Sequence, residues 1–198
     1  NYSLLHSLSQ FGTRISGTAA QARYLHTEIS NLSLVLFNSL DDPLLDQQID
    51  EGKIIEPEFF LPLLPIYLLN GAEGIGTGYS TNIKGYKLED LIHNVELFLD
   101  GKRMKELIPY YKGFKGAYKK ISENKYIFEG TKWVDFDNNK IIITELPPTV
   151  LVDSYIDNVV KGVLLEKNLI YNYKNTSSED IIHIELFCHN IEDIPDSL

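Results

Sequence analysis

Cysteine is almost absent from the sequence, since Cys188 is the only one in 198 residues. One cysteine excludes an internal disulfide framework and fits a reducing compartment. An initiator methionine, a charged-then-apolar leader and an apolar run long enough to cross a bilayer are also lacking, so the sequence indicates neither targeting nor a membrane. Because the chain begins at Asn1, we expect it to be a fragment of a longer protein.

Motifs for metal ions and nucleotides are lacking as well. No metal-ligand spacing links the histidines, which are His6, His26, His93, His183 and His189. Four glycines lie close together at 71, 74, 76 and 78, but no lysine follows Gly76 as a P-loop requires, and the pattern GxGxxG does not occur. We therefore predict no metal site in this chain and disfavour nucleotide binding.

Positive charge is in deficit, with a formal net charge of −10. Taken alone this argues against nucleic acid as a partner, because affinity for DNA comes largely from lysine and arginine. The charge is segregated, however: residues 84–132 hold 11 of the 18 basic residues, whereas residues 41–58 hold 7 acids and one lysine. Both runs are equally consistent with solvated surface. Between Tyr110 and Lys120, lysines alternate with aromatics, a pattern that can bind nucleic acid.

What the chain does have is enough apolar sequence for a core: 43% hydrophobic residues suit one large or two small domains. The run from Glu56 to Asn70 is interrupted by Pro62 and Pro65, is too short for a membrane span and predicts a buried strand. After it, Ile75 lies between glycines that cannot cover it, so either the protein core or a ligand must.

Periodicity predicts the remaining elements. Leu25, Ile29, Leu32 and Leu36 recur at helical spacing and predict an amphipathic helix that ends near Asn38, with Tyr24 in its first turn. A second helix is predicted over 87–99, with Gly101 ending it, and a third over 153–165. Strands are predicted in KYIFEG, WVDFD, KIIITELPP and IIHIELF, with a turn at 138–139. We therefore predict an α+β fold with a mainly antiparallel sheet.

Two stretches are also similar to a known family. EPEFFLPLLPIYLLNGAEGIGTGYS, residues 56–80, resembles the EPEW(Y/F)xPxxPxxLxNGAEGIGTGxS segment of eukaryotic and viral type IIA DNA topoisomerases. QFGTR, followed by a glycine-containing, alanine-rich loop and then Arg23-Tyr24, resembles the end of the winged-helix domain that carries the catalytic tyrosine in these enzymes. The segments DDPLL and ITELP are further landmarks of the family.

The resemblance implies roles for individual residues. Tyr24 would be the nucleophile that attacks a backbone phosphorus, and Arg23 the neighbouring cation that stabilises charge in the displacement. Ile75 would wedge between base pairs and kink the duplex, although a core residue in a tight turn is the alternative. The other residues assigned to DNA binding are Arg14, Gly74, Gly76, Thr77, Lys112 and Lys115.

At the level of domains, the resemblance implies the end of a winged-helix domain over 1–50 and part of a tower domain over 51–198. The activity implied is that of an ATP-dependent homodimer, which cuts both strands of one duplex through tyrosine, passes a second duplex and reseals. Mg²⁺ and ATP would bind outside this chain, so the isolated fragment would be inactive. The implied location is the nucleus, or a cytoplasmic replication site for a viral protein.

Two other functions stay open. In the first, the chain is a noncatalytic module that bends duplex DNA with Ile75 and its lysines, and Tyr24 is merely structural. In the second, the chain is an interaction domain whose acidic surface meets a basic protein partner.

Overall fold

A computed structural model of the chain describes residues 1–123 and 125–195. The chain forms two compact units, one from residues 1–8 and 26–112 and the other from residues 9–25 and 113 onward. Among the described residues, no helix combines the length and the apolar character needed to span a bilayer. The domain boundary that the resemblance implies at 50/51 stays a prediction.

The first unit consists of three antiparallel pairs of strands and three helices. Strand β1 (Leu5–Ser7) pairs with β2 (Thr27–Ile29), β3 (Gln47–Asp50) with β4 (Lys53–Pro57), and β5 (Ala72–Gly76) with β6 (Tyr79–Ile83). The helices are α1 (Asn31–Leu36), α2 (Ile66–Asn70) and α3 (Leu88–Leu99), with a 3₁₀ turn over Ser39–Leu44 where DDPLL occurs. Leu36, Leu69 and Leu91 form its small core.

The amphipathic helix predicted to run to Asn38 is wrong in its first half. Residues 27–29 pair with β1 instead, and α1 begins only at Asn31. The reason is local, because the Ser30 side chain caps α1 by accepting a hydrogen bond from the Ser33 amide at 3.2 Å. β-branched Thr27 and Ile29 meanwhile favour a strand.

The buried strand predicted between Glu56 and Asn70 is also wrong. Pro62 and Pro65 offer no amide hydrogen to a ladder, and Pro65 instead occupies the N-cap of α2. The apolar residues before α2 are largely exposed, namely Phe59, Phe60, Leu61 and Leu63. Only Leu69 of this run is fully buried.

The helix predicted over 87–99 is confirmed. Lys87 is the N-cap residue of α3, and Gly101 has a φ of 67°, in the left-handed region where glycine ends helices. Asn94 is buried on α3, and its side-chain amide bonds both the N–H and the C=O of Lys105 at 2.8 Å. This pair of bonds holds the segment after the helix against it.

The second unit is built on a four-stranded antiparallel sheet. Its strands are β9 (Thr131–Asp135), β10 (Lys140–Glu145), β11 (Ile170–Asn175) and β12 (Ile184–Cys188), in the order β11-β12-β10-β9. A separate hairpin precedes it, formed by β7 (Ala117–Ser122) and β8 (Lys125–Glu129). The sheet and the helix that follows β10 share one core, which includes Ile143, Val160 and Ile184.

The helix predicted over 153–165 is present, beginning as α4 (Val152–Tyr155) and continuing as a wider π-helical stretch over Ile156–Leu165. Alternating burial along β10 and β12 matches the predicted strands, although β12 starts at Ile184 instead of Ile181. Mixed helices and antiparallel sheets confirm the predicted α+β class.

Candidate nucleic-acid interface

Tyr24 is presented to solvent at the end of a short 3₁₀ turn. The turn spans Ala22–Tyr24 and is closed by the Tyr24 amide, which donates to the carbonyl of Gln21 at 2.8 Å. The tyrosine is 58% exposed. The guanidinium carbon of Arg23 lies 5.0 Å from the centroid of its ring, a cation–π distance. A phenol and a guanidinium are thus side by side on the surface. Their roles as nucleophile and neighbouring cation stay a prediction.

The segment that carries Tyr24 is attached to the second unit through its backbone. The amide of Val152 donates to the carbonyl of Arg14 at 3.1 Å, and the amide of Asp153 donates to the carbonyl of Ile15 at 3.0 Å. These donors belong to the first turn of α4, where N–H groups have no partner within the helix. Ile15 also packs against the core of this unit.

Arg14 adds an ion pair with a buried carboxylate. Its Nη2 contacts Oε1 of Glu145 and also donates to the carbonyl of Leu146 at 2.6 Å. Glu145 is only 3% exposed, and its Oε2 accepts the backbone amide of Lys115 at 2.9 Å. These contacts favour a structural role for Arg14 over the DNA contact predicted from the sequence.

Ile75 lies on a hairpin that leaves it uncovered within the first unit. It is 94% exposed on β5, opposite Ser80 of β6. Thr77 and Gly78 form the turn, and Gly78 has a φ of 85°, which favours glycine. A Cβ added at Gly74 would meet nothing within 4 Å, whereas one at Gly76 would lie 2.6 Å from the Tyr79 ring. Ile75 is therefore not a core residue of the described chain, the alternative raised by the sequence.

The lysines that alternate with aromatics between Tyr110 and Lys120 have different surroundings. Lys112 is exposed, with Nζ 5.1 Å from the ring centroid of Tyr2. Lys115 is exposed and bonds Glu145 only through its backbone amide. Lys119, in contrast, is paired with Glu129 through a 2.8 Å salt bridge.

The described residues contain no group of three or more histidine, cysteine or acidic side chains that could hold a metal ion. One charged cluster lies on the four-stranded sheet, where Lys140 Nζ is 2.9 Å and His183 Nε2 is 3.1 Å from the carboxylate of Glu185. Hydrogen bonds from Lys140 and then His183 lower the pKa of Glu185 to about 2. Since Lys140 and His183 both contact the single carboxylate of Glu185, this cluster is a network of ion pairs and not a set of metal ligands.

The family model that describes the A-type subunits of DNA gyrase/topoisomerase IV matches residues 1–197 of this chain. The chain belongs to this DNA gyrase/topoisomerase IV family. The match confirms the resemblance that was identified from residues 10–24 and 56–80.

Individual members of the family give the same result. The chain is 38% identical over 188 residues to DNA topoisomerase 2 of Drosophila melanogaster, covering 92% of the chain and 13% of the relative. It is 39% identical over 166 residues to human DNA topoisomerase 2-beta, covering 83% of the chain and 10% of the relative. The chain thus spans only about an eighth to a tenth of the length of these curated relatives.

A solved structure agrees with the fold. The DNA-binding, cleavage and re-ligation domain of Plasmodium falciparum topoisomerase II matches with a TM-score of 0.84 and 33% identity, over 95% of this chain and 26% of that one. The chain therefore corresponds to part of such a cleavage and re-ligation region of this family.

Sequence reasoning singled out ITELP as a landmark but missed the role of Glu145 within it. The signal for it was the alternation along the strand. Glu145 follows Ile141 and Ile143 at a spacing of two residues and so falls on the buried face of β10. A charged residue in phase with buried apolar residues predicts a buried partner. Arg14 is that partner.

Proposed function

We propose that this chain forms part of an ATP-dependent type II DNA topoisomerase and supplies its nucleophile, Tyr24. In the reaction the phenolic oxygen attacks a backbone phosphorus, a tyrosyl ester forms to the 5′ phosphate, and the 3′ oxygen leaves as a hydroxyl. The reverse attack reseals the strand, because the ester conserves the energy of the broken bond. The observation that carries this proposal is the exposed Arg23–Tyr24 pair in a member of this family.

Arg23 has the properties needed to assist this displacement. Its guanidinium is permanently charged and can donate two parallel hydrogen bonds to non-bridging phosphate oxygens. Negative charge accumulates on these oxygens as the phosphoryl group is transferred. Stabilising it there lowers the barrier without requiring Arg23 to exchange a proton.

Duplex DNA is the proposed substrate. Ile75 wedges between base pairs, and Gly74, Gly76 and Thr77 let the backbone approach the groove, since small residues add little bulk. Lys112 and Lys115 contact phosphates, which would position the duplex without reading its sequence. Two such chains act as a homodimer, because each strand of the duplex needs its own tyrosine.

Mg²⁺ and ATP are proposed to bind outside this chain. Its described residues do not fit a metal centre, since no group of three or more ligand side chains occurs among them. The glycine-rich segment does not fit a phosphate-binding loop, since no lysine follows Gly76. We therefore assign no step to either group here and expect the isolated 198 residues to cleave no DNA. The proposed location is the nucleus, or a cytoplasmic replication site if the protein is viral.

The deciding experiment uses the full-length protein that carries this chain, with supercoiled plasmid and Mg²⁺, stopped with detergent. We expect protein covalently joined to 5′ DNA ends, and we expect the Tyr24→Phe variant to form none, because the ring is kept and only the nucleophilic oxygen is lost. Equal adduct from both proteins would place the nucleophile elsewhere and overturn the assignment.

A noncatalytic DNA-bending module is the second candidate, favoured by the 94% exposure of Ile75. This function predicts salt-sensitive duplex binding and bending with no adduct at all. Absence of adduct from the wild-type protein under conditions in which it binds and bends DNA would favour this candidate.

A further inference from the structure

We infer that Glu145 is a positioning residue for Tyr24, acting through Arg14. The inference rests on the proposed function of Tyr24 and extends it to a side chain that never touches DNA. Glu145 closes strand β10, and Arg14 lies ten residues before Tyr24 in the segment that carries the nucleophile.

Glu145 connects three pieces of the second unit at one carboxylate. Its Oε1 pairs with the guanidinium of Arg14 and accepts the amide of Leu146 at 3.0 Å, while its Oε2 accepts the amide of Lys115 at 2.9 Å. With 3% exposure the carboxylate has almost no water to replace a lost partner. A buried carboxylate that is shared in this way fixes the separation of the groups around it.

The attachment of the Tyr24 segment continues beyond this ion pair. The carbonyls of Arg14 and Ile15 accept the amides of Val152 and Asp153, which are otherwise unpaired at the start of α4. Residues 146–151 join β10 to α4. The Tyr24 segment is therefore bound at both ends of this connection, by Glu145 before it and by the first two residues of α4 after it.

The segment is also closed on itself, so a displacement at Arg14 is transmitted along it. The amide of Ala20 donates to the carbonyl of Gln10 at 2.9 Å, and the amide of Thr13 donates to the carbonyl of Ser16 at 2.7 Å. Gly12, with a φ of 93°, allows this closure, since a Cβ there would lie 3.0 Å from the carbonyl oxygen of Gly17. The 3₁₀ turn that ends at Tyr24 follows directly.

Removing the carboxylate charge should therefore move the nucleophile. In Glu145→Gln the new amide would point its donors at the guanidinium of Arg14 or at the amide of Lys115, so at least one attractive contact becomes repulsive. A shift of about 1 Å in a reacting atom can cost on the order of 10²-fold in rate. Affinity for DNA, in contrast, should change little, because the buried carboxylate holds Lys115 through its backbone amide and not through the side chain proposed to contact phosphate.

The test compares wild-type and Glu145→Gln full-length protein in the formation of the covalent adduct over a range of DNA concentrations. We expect the rate at saturating DNA to fall roughly 10- to 100-fold, while the half-saturating DNA concentration changes by less than about 2-fold. A wild-type rate at saturating DNA, or a loss confined to DNA affinity, would overturn the inference.

Two further variants show whether the pair itself is responsible. Arg14→Ala should reproduce the loss, and the double variant should lose no more than the stronger single one, because both remove the same contact. Glu185→Gln is the matched control, since it breaks another ion pair of the same unit, to Lys140, and should leave the adduct rate unchanged. Additive losses, or an equal loss in Glu185→Gln, would contradict a specific positioning role.

If Glu145→Gln does not fold, Arg14→Lys provides the test. It keeps the positive charge but replaces the planar guanidinium, whose Nη2 contacts both Glu145 and the carbonyl of Leu146, by an ammonium on a shorter side chain. We expect about a 3- to 10-fold fall at saturating DNA in a folded protein. An undiminished rate would overturn the inference. Failure of the proposed function is distinguishable, because wild-type protein would then form no adduct through Tyr24.

Discussion

Tyr24 and Ile75 are both exposed, yet the segments that carry them are built in opposite ways. The Tyr24 segment is attached to its unit by an ion pair with a buried carboxylate and two backbone hydrogen bonds to a helix N-terminus. The Ile75 hairpin is a two-stranded ladder whose apolar side chain is 94% exposed. Isolated two-stranded hairpins are only marginally stable in water, so this one depends for its stability on the rest of the first unit.

This difference matches what each residue is proposed to do. In-line attack on phosphorus tolerates little error in position, so the nucleophile needs a rigid support. A wedge needs an uncovered apolar side chain, and leaving an isoleucine uncovered forgoes about 1.5–3 kcal/mol of burial in the free protein. In the proposed role, part of that free energy would be recovered on insertion of the side chain into a base step. The Tyr24 segment is therefore built to hold its side chain in place, and the Ile75 hairpin is built to leave its side chain exposed.

The largest effect that would sharpen this comparison is expected at Arg23. Arg23→Ala should reduce adduct formation at saturating DNA by about 10²- to 10³-fold, because it removes a charged donor from the developing oxyanion. Arg23→Lys should recover part of the loss, since it restores charge without the planar fork.

The control for Arg23 is Arg103→Ala, which removes another exposed arginine from the other compact unit. Rates are measured as covalent protein–DNA complex formed per minute. A similar fall in both alanine variants would mean that net charge, and not the position of Arg23, is what the reaction requires.

A smaller effect is expected at Ile75. Ile75→Ala should lower the bend angle of bound duplex, while the free energy of unfolding changes by less than about 0.5 kcal/mol because the side chain is already in water. Bending can be followed by energy transfer between dyes at the two ends of a short duplex.

Ile49→Ala is the matched variant, since Ile49 is a 72% exposed isoleucine on another hairpin of the same unit. It should leave the bend intact. An unchanged bend in Ile75→Ala would remove the wedge role and, with it, the functional reason for the exposure of this side chain.

The sequence predicted the two segments but only part of their construction. Long periodic elements such as α3 and β10 were predictable, because the spacing of their apolar residues fits only one type of secondary structure. The helix predicted through Ile29 failed because helical spacing of four apolar residues can also arise across a strand and a short helix. The cap at Ser30, visible in the sequence, was the better guide.

The residues proposed for the site could be named from the sequence, whereas their support could not. Tyr24, Arg23 and Ile75 are local features of two motifs, and their exposure follows from glycine-rich or turn sequences around them. The Arg14–Glu145 contact joins residues 131 positions apart, and no local pattern specifies which arginine meets which carboxylate. Such pairings depend on tertiary structure, so the sequence assigned Arg14 to DNA without showing its contact with the buried carboxylate of Glu145.

The smallest effect is expected at Glu185, and it separates the local support of the Tyr24 segment from the stability of the whole second unit. The pKa of Glu185 is about 2, below its ordinary value of 4.5, chiefly because of its hydrogen bond from Lys140. As the pH falls, the unfolded chain takes up this proton first. The stabilising contribution of Glu185 is therefore complete above about pH 4.5 and is lost as the pH falls towards 2. Thermal unfolding of wild-type chain should accordingly lose more stability over this window than Glu185→Gln does.

The comparison with Glu145 makes this measurement informative. If rigidity of the Tyr24 segment came from general stability of its unit, Glu185→Gln would lower both the unfolding temperature and the adduct rate at neutral pH. If it comes from the pair of Arg14 with Glu145, Glu185→Gln lowers the unfolding temperature alone. The partners of Glu185 are Lys140 on β10 and His183 just before β12, and neither belongs to residues 9–25. Equal pH sensitivity of wild-type and Glu185→Gln chain would instead show that Glu185 contributes nothing to stability in this window.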